Sequence, residues 1–213
     1  MPRVEYTEIN IEDYRLSMQI LKPAGFIETS HYPLLLLIDG TPGSQSVSEQ
    51  FHIDWASVLV SSFGVVAVRF DGRGSGFQGT NLLHKVQRRL GMFEEKDQLD
   101  VLSVMMQEPY IDKTRIGAFG QVFVKDRILS TDTHFIYLLE KVHFQHTAKF
   151  ISRLISERAN YTLQIYPDEG HFIHNEGTRQ HLSQSLVNFF EECFRLPDQV
   201  FEEALEEESE EEG

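Results

Sequence analysis

His171 sits behind the acidic turn Pro167-Asp168-Glu169-Gly170 and ahead of an amphipathic segment at residues 178–194. In α/β enzymes that cleave esters and peptides, the base of a Ser-His-Asp triad occupies this place, in the chain order Ser, Asp, His. That chemistry also needs a serine on a sharp strand-to-helix turn, written G-x-S-x-G. The pattern occurs nowhere in the chain. After the apolar strand expected at residues 115–120 the chain reads Gln121-Val122-Phe123-Val124, which puts Val122 where the nucleophile belongs. The β-branched side chain of Val124 also suits the tight turn poorly. Ser75, in Arg73-Gly74-Ser75-Gly76-Phe77, comes nearest but has arginine at the position that requires glycine. On these residues alone the triad fails, and His171 reads as a loop histidine.

Other spacings invite other chemistry. Gly74, Gly76 and Gly79 satisfy G-x-G-x-x-G directly after an apolar strand. A dinucleotide site needs this turn after the first strand of the sheet, with a helix starting at the last glycine. Here at least two strands come earlier and no acidic residue follows at the expected distance, so the glycines are read as letting a loop pack tightly beside the sheet. His143 and His146, with Asp168, Glu169 and His171 further on, suggest a metal, but spacing fixes no third ligand and no metal or other cofactor is expected. Asn160-Tyr161-Thr162 is an N-glycosylation sequon, meaningful only in a secreted chain. Cys193 is the single cysteine, which excludes a disulfide framework. It leaves two readings open, a reduced thiol or half of a bridge.

The elements that would position these groups alternate between strand and helix. Residues 16–21 read as an edge-type strand, and residues 33–38 and 64–70 as strands buried on both faces. Residues 115–120, 135–139 and 161–166 supply further strands. Helices are expected at 55–61, 81–90, 93–107, 144–157 and 178–194. The face of the third is assigned to Leu99, Leu102, Val104, Met105 and Met106, behind a polar stretch at 94–98. Strands alternating with helices predict a mostly parallel, three-layer α/β sheet with functional groups in loops at the carboxyl ends of strands. The chain is 41% hydrophobic and 24% charged, enough for one core. Its net charge of −14 excludes a basic nucleic-acid groove as a dominant feature. Eight glutamates with no lysine or arginine crowd residues 202–213, which read as a solvated, disordered tail. The apolar runs are too short to span a bilayer, and the first residues show no signal-peptide core.

The blocks DGTPGSQSV (39–47), RFDGRGSGFQGT (69–80), RRLG (88–91), EEKDQ (94–98), EKVHFQHTA (140–148), ANYTLQIYPDEGH (159–171) and NFFEECF (188–194) resemble the dipeptidyl peptidase IV family. Within it they are most similar to the dipeptidyl aminopeptidase-like branch, whose members are accessory subunits of A-type voltage-gated potassium channels. The resemblance implies an α/β-hydrolase domain of the prolyl oligopeptidase type. It divides the chain into a lead-in strand at 1–31, the hydrolase-like domain at 32–196 and the acidic tail at 197–213. In full-length relatives the domain lies outside the plasma membrane and is carried on a single-pass glycoprotein. This chain holds no such membrane segment.

The same resemblance implies lost catalysis. Asp39 stands where active relatives have the oxyanion-hole tyrosine, Val122 replaces the serine, and Leu139 replaces the acid. His171 alone remains of the triad. A lone histidine has no hydroxyl to deprotonate and no carboxylate to hold its tautomer, so a non-catalytic protein is expected rather than a serine-type peptidase. Residues 121–139 replace several tens of family residues, among them the elbow, the helix behind it and a strand, so the sheet is expected to be incomplete. Uncovered apolar area weakens a domain by about 25 cal/mol per Å², which leaves this one little margin. Family members bond the cysteine matching Cys193 to one just beyond the elbow, and that partner falls in the missing stretch. Homodimerisation through the final helix, 178–194, is the further expectation from the family.

Overall fold

The structure, a computed structural model, describes residues 1–39, 42–50, 52–86, 93–120, 135–138, 152, 155–156, 161–162 and 174–195. Seven strands form one mixed sheet: β1 (Arg3–Ile11), β2 (Tyr14–Lys22), β3 (Tyr32–Ile38), β4 (Val66–Phe70), β5 (Ile111–Gly120), β6 (Phe135–Leu138) and β7 (Tyr161–Thr162). Their order is β1-β2-β4-β3-β5-β6-β7. β1, β2 and β4 pair antiparallel, and from β4 through β3, β5 and β6 to β7 every pairing is parallel. The continuous helices among the described residues are α1 (Trp55–Ser62), α2 (Thr80–Leu83), α3 (Phe93–Met105) and α4 (Glu176–Phe194), with a 3-10 turn over His84–Val86.

The α/β layering agrees with the sequence reading, with local corrections. Residues 16–21 are not an edge. They belong to β2, which has β1 on one side and β4 on the other. β1 escaped notice because only Ile9 and Ile11 among its nine residues are buried, the rest being a mixed-charge stretch. The lead-in at 1–31 is therefore a hairpin of two strands. α4 starts at Glu176, earlier than its apolar stripe suggests, because the Asn175 side chain accepts hydrogen bonds from Gly177 N at 2.8 Å and Thr178 N at 3.3 Å. The helix read at 81–90 is a four-residue α-turn followed by the 3-10 turn, and residues 87–92 lie outside the described residues. The expected helix at 144–157 falls almost entirely outside them too.

Each face of the sheet buries its own core. On one, alternate residues of the hairpin and the central strands, including Leu16, Met18, Ile20, Leu34, Leu36, Val66 and Val68, pack against Val101, Leu102 and Met105 of α3. Val104, expected on that helix face, is exposed, and Val101 takes its place. On the other, Leu35, Leu37, Ala67 and Phe119 meet Leu59 and Val60 of α1 and Leu186, Phe190 and Phe194 of α4. Close approach there depends on Gly117 of β5. A Cβ on it would stand 2.8 Å from Phe194 Cζ and 2.9 Å from Phe190 Cε1. The period-two alternation of β3 thus serves two cores at once, which is why it reads as uniformly apolar.

Candidate functional site

The carboxyl ends of β3, β4 and β5 converge on one rim, where an α/β sheet places its chemistry. After β4 the chain makes a loop locked from both sides. Asp71, almost wholly buried, accepts backbone hydrogen bonds from Ser46 N at 2.7 Å and Val47 N at 3.2 Å, which ties the loop after β3 to the loop after β4. Burial pushes its carboxyl above the ordinary range, and the negative charge of Asp39 adds to the rise. Arg73 turns inward onto Asp97 of α3, donating from Nε at 2.8 Å and from Nη2 at 2.5 Å, while its backbone N–H reaches Asp97 Oδ2 at 2.7 Å. Both side chains are buried, at 1% and 0% exposure. Arg73 Nη1 also donates to Glu12 Oε2 at 2.8 Å, and the Phe93 ring lies 4.6 Å from the guanidinium. The Glu12 carboxylate takes a second bond from Lys96, and these two cations, Lys96 first, hold it below the usual carboxylate range.

The glycines of the G-x-G-x-x-G stretch have a packing role. Gly74 has φ of +100°, and a Cβ there would stand 2.7 Å from Val86 Cγ2. At Gly76 a Cβ would stand 2.5 Å from the carbonyl oxygen of Gly43. The backbones of these loops bond directly, Gly43 N to Gly74 O at 2.8 Å and Gly76 N to Ser44 O at 2.9 Å. Ser75 is buried between them and lines a cleft of about 20 Å³, room for about one water and without a histidine among its described lining residues. It is not placed to act as a nucleophile.

Beside this frame a pocket of about 210 Å³ opens at the strand ends, lined by Asp39, Ser46, His52, Asp54, Trp55, Arg69 and Phe119, with Leu37 and Ile38 at its floor. Asp39 is exposed at the end of β3. Asp54 is fully engaged. Oδ1 caps α1 by accepting from Ser57 N at 3.0 Å, and Oδ2 pairs with Arg69 of β4. Among the described residues His52 hydrogen-bonds to neither Ser46, Asp39 nor Asp54, so the pocket holds a hydroxyl, an imidazole and carboxylates without the relay that activates a nucleophile. The exposed Asp39 puts a carboxylate on the pocket lining, whereas Asp71 is buried behind it and occupied by the Ser46 and Val47 backbone. No group of three or more His, Cys, Asp or Glu side chains among the described residues could hold a metal.

The profile of the prolyl oligopeptidase family matches residues 51–122 and 140–196. The chain belongs to that family. It is 34% identical to inactive dipeptidyl peptidase 10 of Rattus norvegicus over 246 residues, covering 88% of this chain and 31% of that protein. It is 25% identical to dipeptidyl peptidase 4 of Sus scrofa, covering 92% of this chain and 34% of that protein. Among solved structures it superposes on dipeptidyl peptidase 4 of Porphyromonas gingivalis with a TM-score of 0.73 at 24% identity, over 89% of this chain and 35% of that one. A putative dipeptidyl aminopeptidase IV of Bacteroides ovatus gives 0.76 at 22%, over 90% of this chain and 36% of that one. These two structures establish the three-layer α/β-hydrolase fold. The chain spans about a third of the length of the curated relatives it matches. The rat relative aligns over 246 residues where this chain has 213, so it carries residues inside the matched region that this chain lacks.

Of the expected site residues, the structure places Asp39 and Cys193. Val122, Leu139, Asn160 and His171 lie outside the described residues, as do His143 and His146. Cys193 is on α4, half-buried, and burial with the charge of Glu192 pushes its thiol up to about 12. Held protonated, it is a poor nucleophile for bridging to another chain. The Arg73–Asp97 pair was missed by sequence reasoning, which took residues 94–98 as a polar stretch. The signal is nonetheless present: Asp97, Val101 and Met105 recur every four residues on one helix face, so the aspartate lies on the buried stripe.

Proposed function

We propose that this chain is a non-catalytic member of the prolyl oligopeptidase family that serves as an accessory, regulatory subunit of A-type voltage-gated potassium channels. In that role the hydrolase-like domain is a structural and dimer-forming module on the outer side of the plasma membrane. The observation that carries the loss of catalysis is Asp39 at the end of β3, a carboxylate where hydrolysis needs a hydrogen-bond donor. The uncoupled His52 and the similarity to inactive dipeptidyl peptidase 10 support the same reading. Val122 and Leu139 at the nucleophile and acid positions of the family pattern support it further, leaving His171 as a remnant. Relatives modulate channels largely through their membrane and cytoplasmic parts, so the domain in this chain contributes assembly more than gating.

The second reading is a serine-type peptidase, favoured by similarity to dipeptidyl peptidase 4. A fluorophosphonate probe and a chromogenic Xaa-Pro dipeptide substrate separate the two. Neither labelling nor turnover is expected. Labelling that disappears in Ser75→Ala or His171→Ala would establish the peptidase instead. The channel role is tested by co-expression with an A-type channel subunit. Co-purification, lost when α4 is disrupted at Phe189→Asp, is the expected result, and full separation of the two proteins overturns the role.

A further inference from the structure

We propose that the strand-end pocket binds a small alkylammonium ion, which the Asp39 carboxylate holds against the corner formed by the Trp55 and Phe119 rings. The inference rests on the non-catalytic reading in one respect, that it treats this pocket as a binding site and not a reaction centre. At about 210 Å³ the pocket is smaller than the roughly 300 Å³ at which sites for drug-sized ligands begin, so its occupant is a small ion.

Two aromatic walls are fixed by folding before any ligand arrives. Asp54 caps α1, which makes Trp55 the first residue of the helix and brings it beside the end of β5. The indole stacks on Phe190 of α4, with ring centroids 5.8 Å apart and 11° between the planes. It meets Phe119 nearly at right angles, at 4.9 Å and 73°. Both Trp55 and Phe119 line the pocket. A corner of two rings presents π-electron density to a cation, and tryptophan is the strongest aromatic partner for one. Stacking and burial hold the corner in place, so little side-chain entropy is lost when a ligand enters.

Charge on the lining favours a cation. Among the described lining residues Arg69 is the one permanent positive charge, and its ion pair with Asp54 cancels it. Asp39 then leaves the lining net negative, with the buried Asp71 carboxyl behind it. Burial raises the Asp71 carboxyl, and the charge of Asp39 adds to the rise, so the two groups feel one another across the rim. A bound cation relieves that repulsion. An exposed carboxylate has about four acceptor sites, so Asp39 can receive a cation while keeping its other interactions. Ser46 and His52 bring a hydroxyl and an imidazole to the same lining for a polar group at the far end of the ligand. An anion has only the neutralised Arg69 to meet. A metal ion fits no better, since no cluster of three or more ligating side chains occurs among the described residues.

Trp55 is the single tryptophan of the chain, so its fluorescence reports the pocket directly. The test titrates the full chain with choline, with 3,3-dimethylbutan-1-ol, which has the same shape without charge, and with 3,3-dimethylbutanoate, which carries the opposite charge. Choline is expected to change the fluorescence saturably, with a midpoint of about 1 mM or below. The neutral alcohol binds about tenfold more weakly, and the anion does not bind. Asp39→Asn weakens choline about fivefold and Asp39→Lys abolishes binding. Phe119→Leu, which removes a ring while keeping most of the volume, weakens it roughly threefold. Glu28→Gln, in the loop between β2 and β3 at the opposite end of the sheet, leaves it unchanged. Far-UV circular dichroism checks that the variants keep the fold, and the three ligands are compared on the parent chain whatever the variants do. The proposal is overturned if the choline titration stays linear to about 10 mM, if the alcohol or the anion binds as tightly as choline, or if Asp39→Lys binds normally. Turnover of an Xaa-Pro substrate would instead overturn the non-catalytic reading, which a failure to bind choline leaves standing.

Discussion

The ends of β3 and β4 lie side by side on one rim and have had different fates. The loop after β4 retains a complete mechanical frame: Asp71 bracing the neighbouring loop, Arg73 anchored on Asp97, and Gly74 and Gly76 letting two backbones touch. The end of β3 instead leads into Asp39, an exposed carboxylate that lines the pocket. Frame and chemistry are therefore separable. Buried ion pairs and close glycine contacts are held in place by folding, because removing one member leaves an uncompensated charge or a clash. A rim side chain that touches only substrate has no such constraint.

The comparison breaks if the frame proves dispensable. Asp97→Ala leaves the Arg73 guanidinium buried without its partner and is expected to destabilise by about 3–5 kcal/mol, read by chemical denaturation. The paired replacement Arg73→Met with Asp97→Leu recovers most of that loss, because it removes both charges together. Gly117→Ala forces a methyl against Phe190 and Phe194 and is expected to cost about 1–3 kcal/mol, seen as a lowered melting temperature. Asp71→Ala, which strands the N–H groups of Ser46 and Val47, falls in a similar range of about 1–3 kcal/mol, with protease cutting near residue 46 as its local signature.

A finer distinction comes from pH. The Glu12 carboxyl is held low by Lys96 and Arg73, so the stability it contributes is in place above the ordinary carboxylate range and is lost as pH falls through its depressed value. Asp71 is raised by burial, so its contribution runs the other way and is lost as pH rises through its elevated value. Melting temperature followed from neutral to acid pH should therefore fall less steeply in Glu12→Gln than in the parent. An unchanged acid limb would mean that Glu12 is not part of the frame. The smallest expected effect is at the other end of the comparison. Asp39→Tyr puts a hydrogen-bond donor in place of the carboxylate yet produces no turnover of an Xaa-Pro substrate, because a donor alone supplies no nucleophile. Measurable hydrolysis by that variant would show that an active serine survives elsewhere in the chain.

Much of the scaffold was legible because it repeats. The uninterrupted apolar run of β3 and the apolar stripe of α4 announce elements buried on two faces and on one. The glycine-rich stretch after β4 was read as tight loop packing, and Gly74 and Gly76 bear this out. Less visible were features whose logic lies between distant residues. β1 looks like a polar lead-in until β2 pairs with it. Asp97 looks like part of a solvated stretch until Arg73, 24 residues away, arrives beside it.

Residue types and order determined the layered α/β class, the family blocks and the absence of G-x-S-x-G, since periodicity and short motifs are local properties of a chain. Tertiary structure alone decided that Ser75 is buried beside a cleft of about 20 Å³, that Asp54 joins α1 to β4 through Arg69, and that Asp97 of α3 meets Arg73 of the loop after β4. These outcomes depend on which strands become neighbours and which face each helix covers. Burial and pairing are properties of the assembled sheet, and no single segment carries them.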